Sequence, residues 1–261
     1  MNGPRIAFAA DRDIGVAVLK FILRQGIRPL ALLVSDAGQA SHSAELAALC
    51  AYLQPEQIFR GREFRQAQGL AALRALNLDY IIGVHFPYLV PPPVLELPRI
   101  GVLNLHPAYL PYNRGWHTVS WALLEGTAIG ATLHFMDAGI DTGDIVHQKL
   151  LDVSPADTAD SLYRRVKQLE LEVFEEAWPL LVSESYTRTA QPPNVGTTHK
   201  RDDLFRDDIQ RIDLDQHIEA GDLLRRLRAL TTNRVDEAAY FEINGKRYRV
   251  QVRVHEELDE C

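Results

Sequence analysis

The chain has 261 residues, 46% of them apolar, and a formal net charge of −7. That is enough to bury the core of one α/β domain with a smaller appendage, and no apolar run approaches the roughly 20 residues that span a bilayer. The negative balance argues against a polyanionic partner, and it holds locally: residues 200–261 carry twelve Lys or Arg against fifteen Asp or Glu, which is no basic face for nucleic acid.

In chain order, residues 5–9 read as a first strand and 11–15 as a turn. Val18, Leu19, Ile22 and Leu23 then form a helical stripe over 16–25 that Gly26 closes. A second strand covers 28–34, Ser43 caps a helix reaching Leu53, and 65–76 repeats the helical pattern with Leu70, Leu73 and Leu76. The apolar runs 79–84 and 101–106 are of the kind buried on both faces, which makes them the central strands. A helix over 117–125, strands over 131–136 and 144–150, and a long amphipathic helix over 158–182 follow. Gln-Pro-Pro-Asn and Gly-Thr-Thr within 187–198 mark a linker. Beyond it come a helix near 218–230 and strands over 239–243 and 248–254 flanking Asn244-Gly245, a type I′ hairpin signal.

The expected class is therefore α/β: a mostly parallel sheet with helices on both faces, plus a small C-terminal α+β segment ending in a β-hairpin. The expected division is 1–186 as the catalytic domain, 187–198 as linker and 199–261 as the small segment. A start without a secretion-type apolar stretch, and only two cysteines, Cys50 and Cys261, suit a cytoplasmic location without disulfides or zinc.

Ligands of open parallel sheets gather at the carboxyl ends of the strands, here at 85–88 and 104–106. Asn104 and His106 stand two residues apart at the end of an apolar strand, so they point the same way. An amide that donates to a developing oxyanion beside an imidazole acting as base or second donor suits acyl transfer. The same residues also fit a strand-end histidine bonded to backbone and a turn-forming asparagine. Asp141 lies in Gly139-Ile140-Asp141-Thr142-Gly143-Asp144, where a carboxylate could orient His106 or take a proton, or could simply form an Asx turn. Spacing alone does not bring Asp141 to His106.

Four fragments occur in order over 104–143: Asn104-Leu105-His106-Pro107, Leu110-Pro111 followed by Arg114-Gly115, Gly130-Ala131-Thr132-Leu133-His134, and Asp141-Thr142-Gly143. Together they resemble the formyltetrahydrofolate-dependent formyltransferase family, most closely its nucleotide-sugar N-formyltransferases, with relatives that formylate methionyl-tRNA. The resemblance is strong over about residues 80–150, with a looser match in the surrounding Rossmann-like units. It implies that Asn104, His106 and Asp141 are the catalytic trio and that N10-formyltetrahydrofolate is the co-substrate, with no metal. It also implies a pterin slot formed by Phe86, Pro87 and Tyr88 together with Asp137, Gly139 and Ile140. His134 matches a recurrent strand position read as structural, and Arg114 reads as a loop anchor.

The acceptors in the family are initiator methionyl-tRNA, a purine precursor, nucleotide-linked aminosugars and hydroxyornithine. Methionyl-tRNA enzymes carry a C-terminal domain of about 100 residues, whereas this chain has a short, slightly acidic segment after the linker. A nucleotide-linked aminosugar is therefore the expected acceptor, with Arg12, Trp116 and His117 as substrate-binding candidates. The same residues also fit a solvated turn and helix-start packing. The resemblance further implies a homodimer through the hairpin, with Tyr240, Ile243, Tyr248 and Val250 as a contact face or as packing within their own segment.

Overall fold

The computed structural model describes residues 3–38 and 41–257, so the expectation for Cys261 lies outside the described residues. The elements in order are β1 (Ile6–Ala10), α1 (Arg12–Arg24), β2 (Ala31–Val34), α2 (Ser43–Leu49), β3 (Ile58–Arg60), α3 (Ala67–Ala75), β4 (Tyr80–Val84), α4 (Pro92–Leu95) and β5 (Gly101–His106). Then follow β6 (Arg114–Gly115), α5 (Thr118–Glu125), β7 (Gly130–Phe135), β8 (Ile145–Leu150), α6 (Ala159–Val182), β9 (Thr198–His199), α7 (Asp207–Gln210), α8 (Ala220–Ala229), β10 (Ala239–Ile243) and β11 (Lys246–Val250).

Seven strands form one sheet in the order β3-β2-β1-β4-β5-β7-β8. β1, β2, β3, β4 and β5 pair in parallel, as their short apolar runs and intervening helices require, whereas β7 runs antiparallel to β5. The mostly parallel, Rossmann-like sheet expected from the sequence is the observed one. Ala7, Ala9, Leu33, Ile81 and Val102 pack with Leu73 of α3 and Val94 of α4. Tyr80, on the opposite face by the period of two, reaches α6, where its hydroxyl donates to the Leu181 carbonyl at 3.1 Å. Full burial of a valine, leucine or isoleucine side chain such as these contributes roughly 1.5–3 kcal/mol.

Several boundaries differ from the sequence reading, each for a local reason. The expected turn at 11–15 is already helix, because the Asp11 carboxylate accepts from the Arg12 amide and starts α1 there. Ser43 is inside α2 rather than its cap; its hydroxyl donates to the Ser35 carbonyl, and the helix stops at Leu49. β3, a three-residue edge strand, is too short to leave a periodic signal. The hairpin strand β11 begins at Lys246, directly after Asn244 and Gly245, both at positive φ as the turn type demands.

The chain divides into two compact units that are not contiguous in sequence. The first holds Met1–His106, Ala131–Gln148 and Gln168–Gln191; the second holds Pro107–Gly130, Lys149–Lys167 and Pro192–Cys261. Within the second, Val119, Ala122 and Leu123 of α5 pack with Leu162 and Val166 of α6 and Ala229 of α8. A further cluster joins Trp121, Leu204, Leu230 and Ala239. β10 and β11 pair antiparallel, giving the C-terminal hairpin expected from the sequence. Tyr240 is buried with its hydroxyl on Asp207, so it packs on its own unit, while Ile243 and Tyr248 are exposed. No helix among the described residues is long and apolar enough to cross a membrane.

Candidate active site

The first unit carries the polar residues expected at the strand ends. Val102, Asn104 and His106 alternate onto one face of β5, and pairing with β7 places Asn104 opposite His134 and His106 opposite Thr132. Asp141 comes from the loop between β7 and β8. The Phe135 amide donates to the Asp144 carbonyl at 2.8 Å and so closes the base of that loop. Gln191 holds its far side by donating through Nε2 to the carbonyls of Asp141 and Gly143, both at 2.8 Å. Asp141 itself sits at φ 51, a left-handed conformation in which an aspartate is more at ease than most residues.

These constraints bring the three expected residues together. Asn104 Nδ2 donates to Asp141 Oδ1 at 3.2 Å, and His106 Nε2 lies 3.6 Å from Asp141 Oδ2. His134, fully buried, joins them with Nε2 at 3.3 Å from Asn104 Nδ2 and 3.5 Å from Asp141 Oδ1. The His106 and His134 rings meet edge to face at 6.1 Å. Two imidazoles, one amide and one carboxylate, nearly withdrawn from solvent, form a set able to donate to an oxyanion and to exchange a proton.

Asn104 also borders a pocket lined by Phe86, Tyr88, Val90, Val102 and Met136, together with small residues of the strands. Gly83 pairs with Asn104 across the sheet, and a Cβ there would lie 3.4 Å from Asn104 Oδ1 and 3.2 Å from the Leu103 carbonyl, so glycine keeps this wall open. Phe86 packs edge-on against Phe64 and Tyr88, and the Tyr88 hydroxyl accepts from the Asp36 amide at 3.2 Å. Pro87 is half-buried between them. Asp137 is engaged by its own loop, accepting from the Gly139 amide at 2.9 Å and the Thr142 hydroxyl at 2.6 Å. Ile140 is exposed.

His85, directly after β4 at φ 50, places Nε2 2.9 Å from each oxygen of the fully buried Glu170. His85 lies in the 85–88 strand end expected to gather ligands but had no role of its own there, and neither Glu170 nor Gln191 was among the residues singled out from the sequence. His85 carried a signal, a polar residue ending an apolar run; Gln191 carried none. At the end of β1, burial pushes the Asp11 carboxyl up, but donors from the Arg12, Ser41 and His42 amides and the Ser35 hydroxyl more than offset this and hold it below the usual carboxylate range. Arg12 is exposed beside it.

Trp116 and His117 belong to the second unit. The Arg201 guanidinium stacks 5.3 Å above the Trp116 ring. His117 Nε2 lies 3.2 Å from the Arg201 carbonyl, and its ring meets Phe205. Burial pushes the His117 imidazole down, against the pull of Glu237, whose carboxylate is 3.8 Å away. Nearby, Trp121 stacks on His199 at 3.8 Å, and His199 approaches Glu125 to 2.8 Å.

The family profile described as Formyl transferase matches residues 23–178, well over half of the chain. This chain belongs to the formyl transferase family. A second profile, the N-formyltransferase dimerization C-terminal domain, matches residues 206–256. A methionyl-tRNA formyltransferase of Koribacter versatilis is 33% identical over 82% of this chain, which spans 65% of that relative's length. The dTDP-4-amino-4,6-dideoxyglucose formyltransferase of Mycobacterium bovis is 28% identical over 67% of this chain and 72% of its own. In fold, the solved 4-N formyltransferase of Francisella tularensis superposes with a TM-score of 0.81 at 23% identity, covering 97% of this chain and 99% of its own.

Proposed function

We propose that this formyl transferase family member moves a formyl group from N10-formyltetrahydrofolate to the amine of a nucleotide-linked aminosugar. The observation that carries the reading is the convergence of Asn104, His106 and Asp141, with Asn104 also lining the slot that Phe86 and Tyr88 border. In this reading the slot receives the pterin, with Phe86, Pro87, Tyr88, Asp137, Gly139 and Ile140 around it. The acceptor nitrogen attacks the formyl carbon, a new C–N bond forms, and the carbonyl electron pair moves onto oxygen. Asn104 and His106 donate to that oxygen. Collapse of the intermediate breaks the bond to N10, which takes a proton, while the acceptor nitrogen loses one through His106, Asp141 or a water. Orientation and preorganised donors supply the rate, as in other acyl transfers.

The aminosugar is supported by the Mycobacterium bovis relative and by the acidic balance of residues 200–261. Arg12, Trp116 and His117 are the residues proposed to meet this acceptor, and Ile243 and Tyr248 of the hairpin are proposed to face a second copy of the chain. Residues 1–186 are proposed as the catalytic domain and 199–261 as the small C-terminal segment. A cytoplasmic location is proposed with them, supported by Cys50, a buried free thiol. A second reading, formylation of methionyl-tRNA, is favoured by the identity to the Koribacter versatilis relative.

Incubation with N10-formyltetrahydrofolate and a panel of nucleotide-linked aminosugars, with methionyl-tRNA and hydroxyornithine in parallel, separates these readings. Tetrahydrofolate release with a sugar is the expected outcome. Turnover confined to charged tRNA would replace the acceptor assignment, and no turnover with any amine would overturn the activity.

A further inference from the structure

We infer that His134 is a positioning residue of this reaction, locked in the tautomer protonated at Nδ1 so that its bare Nε2 pins the amide of Asn104. The inference rests on the proposed formyl transfer for its kinetic consequence and on geometry alone for the tautomer.

His134 Nδ1 lies 2.8 Å from the Phe135 carbonyl oxygen. A carbonyl only accepts, so the hydrogen bond requires a proton on Nδ1. The ring is fully buried, so placing a lone pair against that carbonyl would leave two acceptors facing each other without water to relieve them. Nε2 faces two groups: Asn104 Nδ2 at 3.3 Å and Asp141 Oδ1 at 3.5 Å. Asn104 Nδ2 in turn lies 3.2 Å from the same carboxylate oxygen. An ionised carboxylate accepts only, so the NH₂ end of the amide, not its oxygen, must face Asp141. One amide hydrogen then goes to Asp141, and the other has Nε2 as its acceptor. An imidazolium could turn its Nε2–H toward Asp141 Oδ1 at 3.5 Å, but the second hydrogen of the Asn104 amide, 3.3 Å away, would then lose its acceptor. The tautomer with the proton on Nδ1 and a bare Nε2 is the arrangement in which Nδ1–H and both amide hydrogens of Asn104 find an acceptor.

Two consequences follow. His134 sets the rotation of the Asn104 amide, so the hydrogen shared with Asp141 is the one presented to the developing oxyanion when that carboxylate takes a proton. And because Nε2 carries no proton, His134 supplies none to Asp141. Exchange with Asp141 therefore runs through His106, whose Nε2 is 3.6 Å from Oδ2, or through a water.

The test combines nitrogen NMR of the whole chain carrying isotope-labelled histidine, the His134 signal being assigned by its loss in His134→Gln, with kinetics of His134→Leu and His134→Gln. NMR should report a pyrrole-like Nδ1 and a pyridine-like Nε2. His134→Leu removes the acceptor but stays apolar, and its kcat should fall about ten- to a hundred-fold with the donor KM within about twofold. His134→Gln offers Oε1 as an acceptor and should recover most of that loss. A protonated Nε2 would overturn the tautomer. Equal kcat losses in both variants, with wild-type melting, would overturn the pinning role, as would an effect confined to KM. If His134→Leu does not fold, the glutamine variant and the NMR arm still decide. A wild-type chain that carries the Nδ1 tautomer yet formylates no amine would overturn the transfer reading while supporting the pinned amide.

Discussion

The cluster at the end of β5 and the cluster around β6 and β9 use the same residue types, histidine beside carboxylate, and hold them differently. In the first, the contacts joining Asn104, His106, His134 and Asp141 are 3.2 to 3.6 Å long, and the group borders a slot. In the second, His199 lies flat on Trp121 and 2.8 Å from Glu125, and His117 is held between the Arg201 carbonyl and Phe205. Burial pushes both imidazoles of the second cluster down, His199 against the pull of Glu125. A histidine closed in by its own neighbours, as His199 is, stabilises a fold, whereas His117 stands beside Trp116, where the acceptor is proposed to meet it. Groups left at longer spacing beside a cavity have room to tighten around a reacting centre, as catalytic hydrogen bonds do when the substrate arrives.

The sharpest way to break this comparison is to delete the long-spaced groups. Asn104→Ala and His106→Ala should each lower kcat for formyl transfer by about 10²- to 10³-fold, the loss typical of an oxyanion donor, with melting temperature unchanged. A rate near wild type in either would remove that residue from the catalytic assignment. The first unit also contains a tightly closed pair, His85 and Glu170, which should behave as a structural element. Glu170→Ala removes the carboxylate bonded to His85 and should cost about 1–3 kcal/mol in denaturant titration, the cost of losing a buried hydrogen-bond partner. A change below about 1 kcal/mol would show that the site relaxes around the loss.

Trp116 sharpens the comparison from the other side. If it meets the acceptor as proposed, Trp116→Ala should raise the acceptor KM by about two- to tenfold, the equivalent of one aromatic contact, with kcat retained. A drop in melting temperature with KM unmoved would class it with the packed His199 instead. The smallest expected effect is at Asp11. Its folded pKa lies below the ordinary 3.8, so its contribution to stability is complete above that value and disappears as pH falls through the folded pKa. Asp11→Asn should therefore be less stable than wild type at neutral pH, with the gap closing in acid. A gap independent of pH would mean that the carboxylate's charge plays no part.

Much of this site is legible along the chain because it lies on one strand and one glycine-rich loop. Asn104 and His106 interrupt an apolar run with the period of a strand, and four short fragments in order carry the family resemblance. The segment 85–88 follows from the rule that parallel sheets bind at strand ends, and the resemblance implies Phe86 and Tyr88 within it as slot residues. The partners that hold the site do not show themselves in this way. Gln191 reaches the Asp141 loop from 50 residues away, and Glu170 sits 85 residues from His85 on an amphipathic helix, where a glutamate reads as solvated. The antiparallel pairing of β5 with β7 that sets His134 against Asn104 is equally invisible to local pattern.

Sequence alone determined the α/β class, the central strands and the hairpin turn, and pointed to the candidate trio, because periodicity, turn chemistry and short motifs are local properties of the chain. Tertiary structure alone decided which nitrogen of His134 carries the proton, how the Asn104 amide is turned and what anchors the Asp141 loop. Those outcomes depend on distances of about 3 Å between atoms far apart in sequence, and hydrogen bonding in a buried, water-poor site permits only the arrangements in which each donor finds an acceptor.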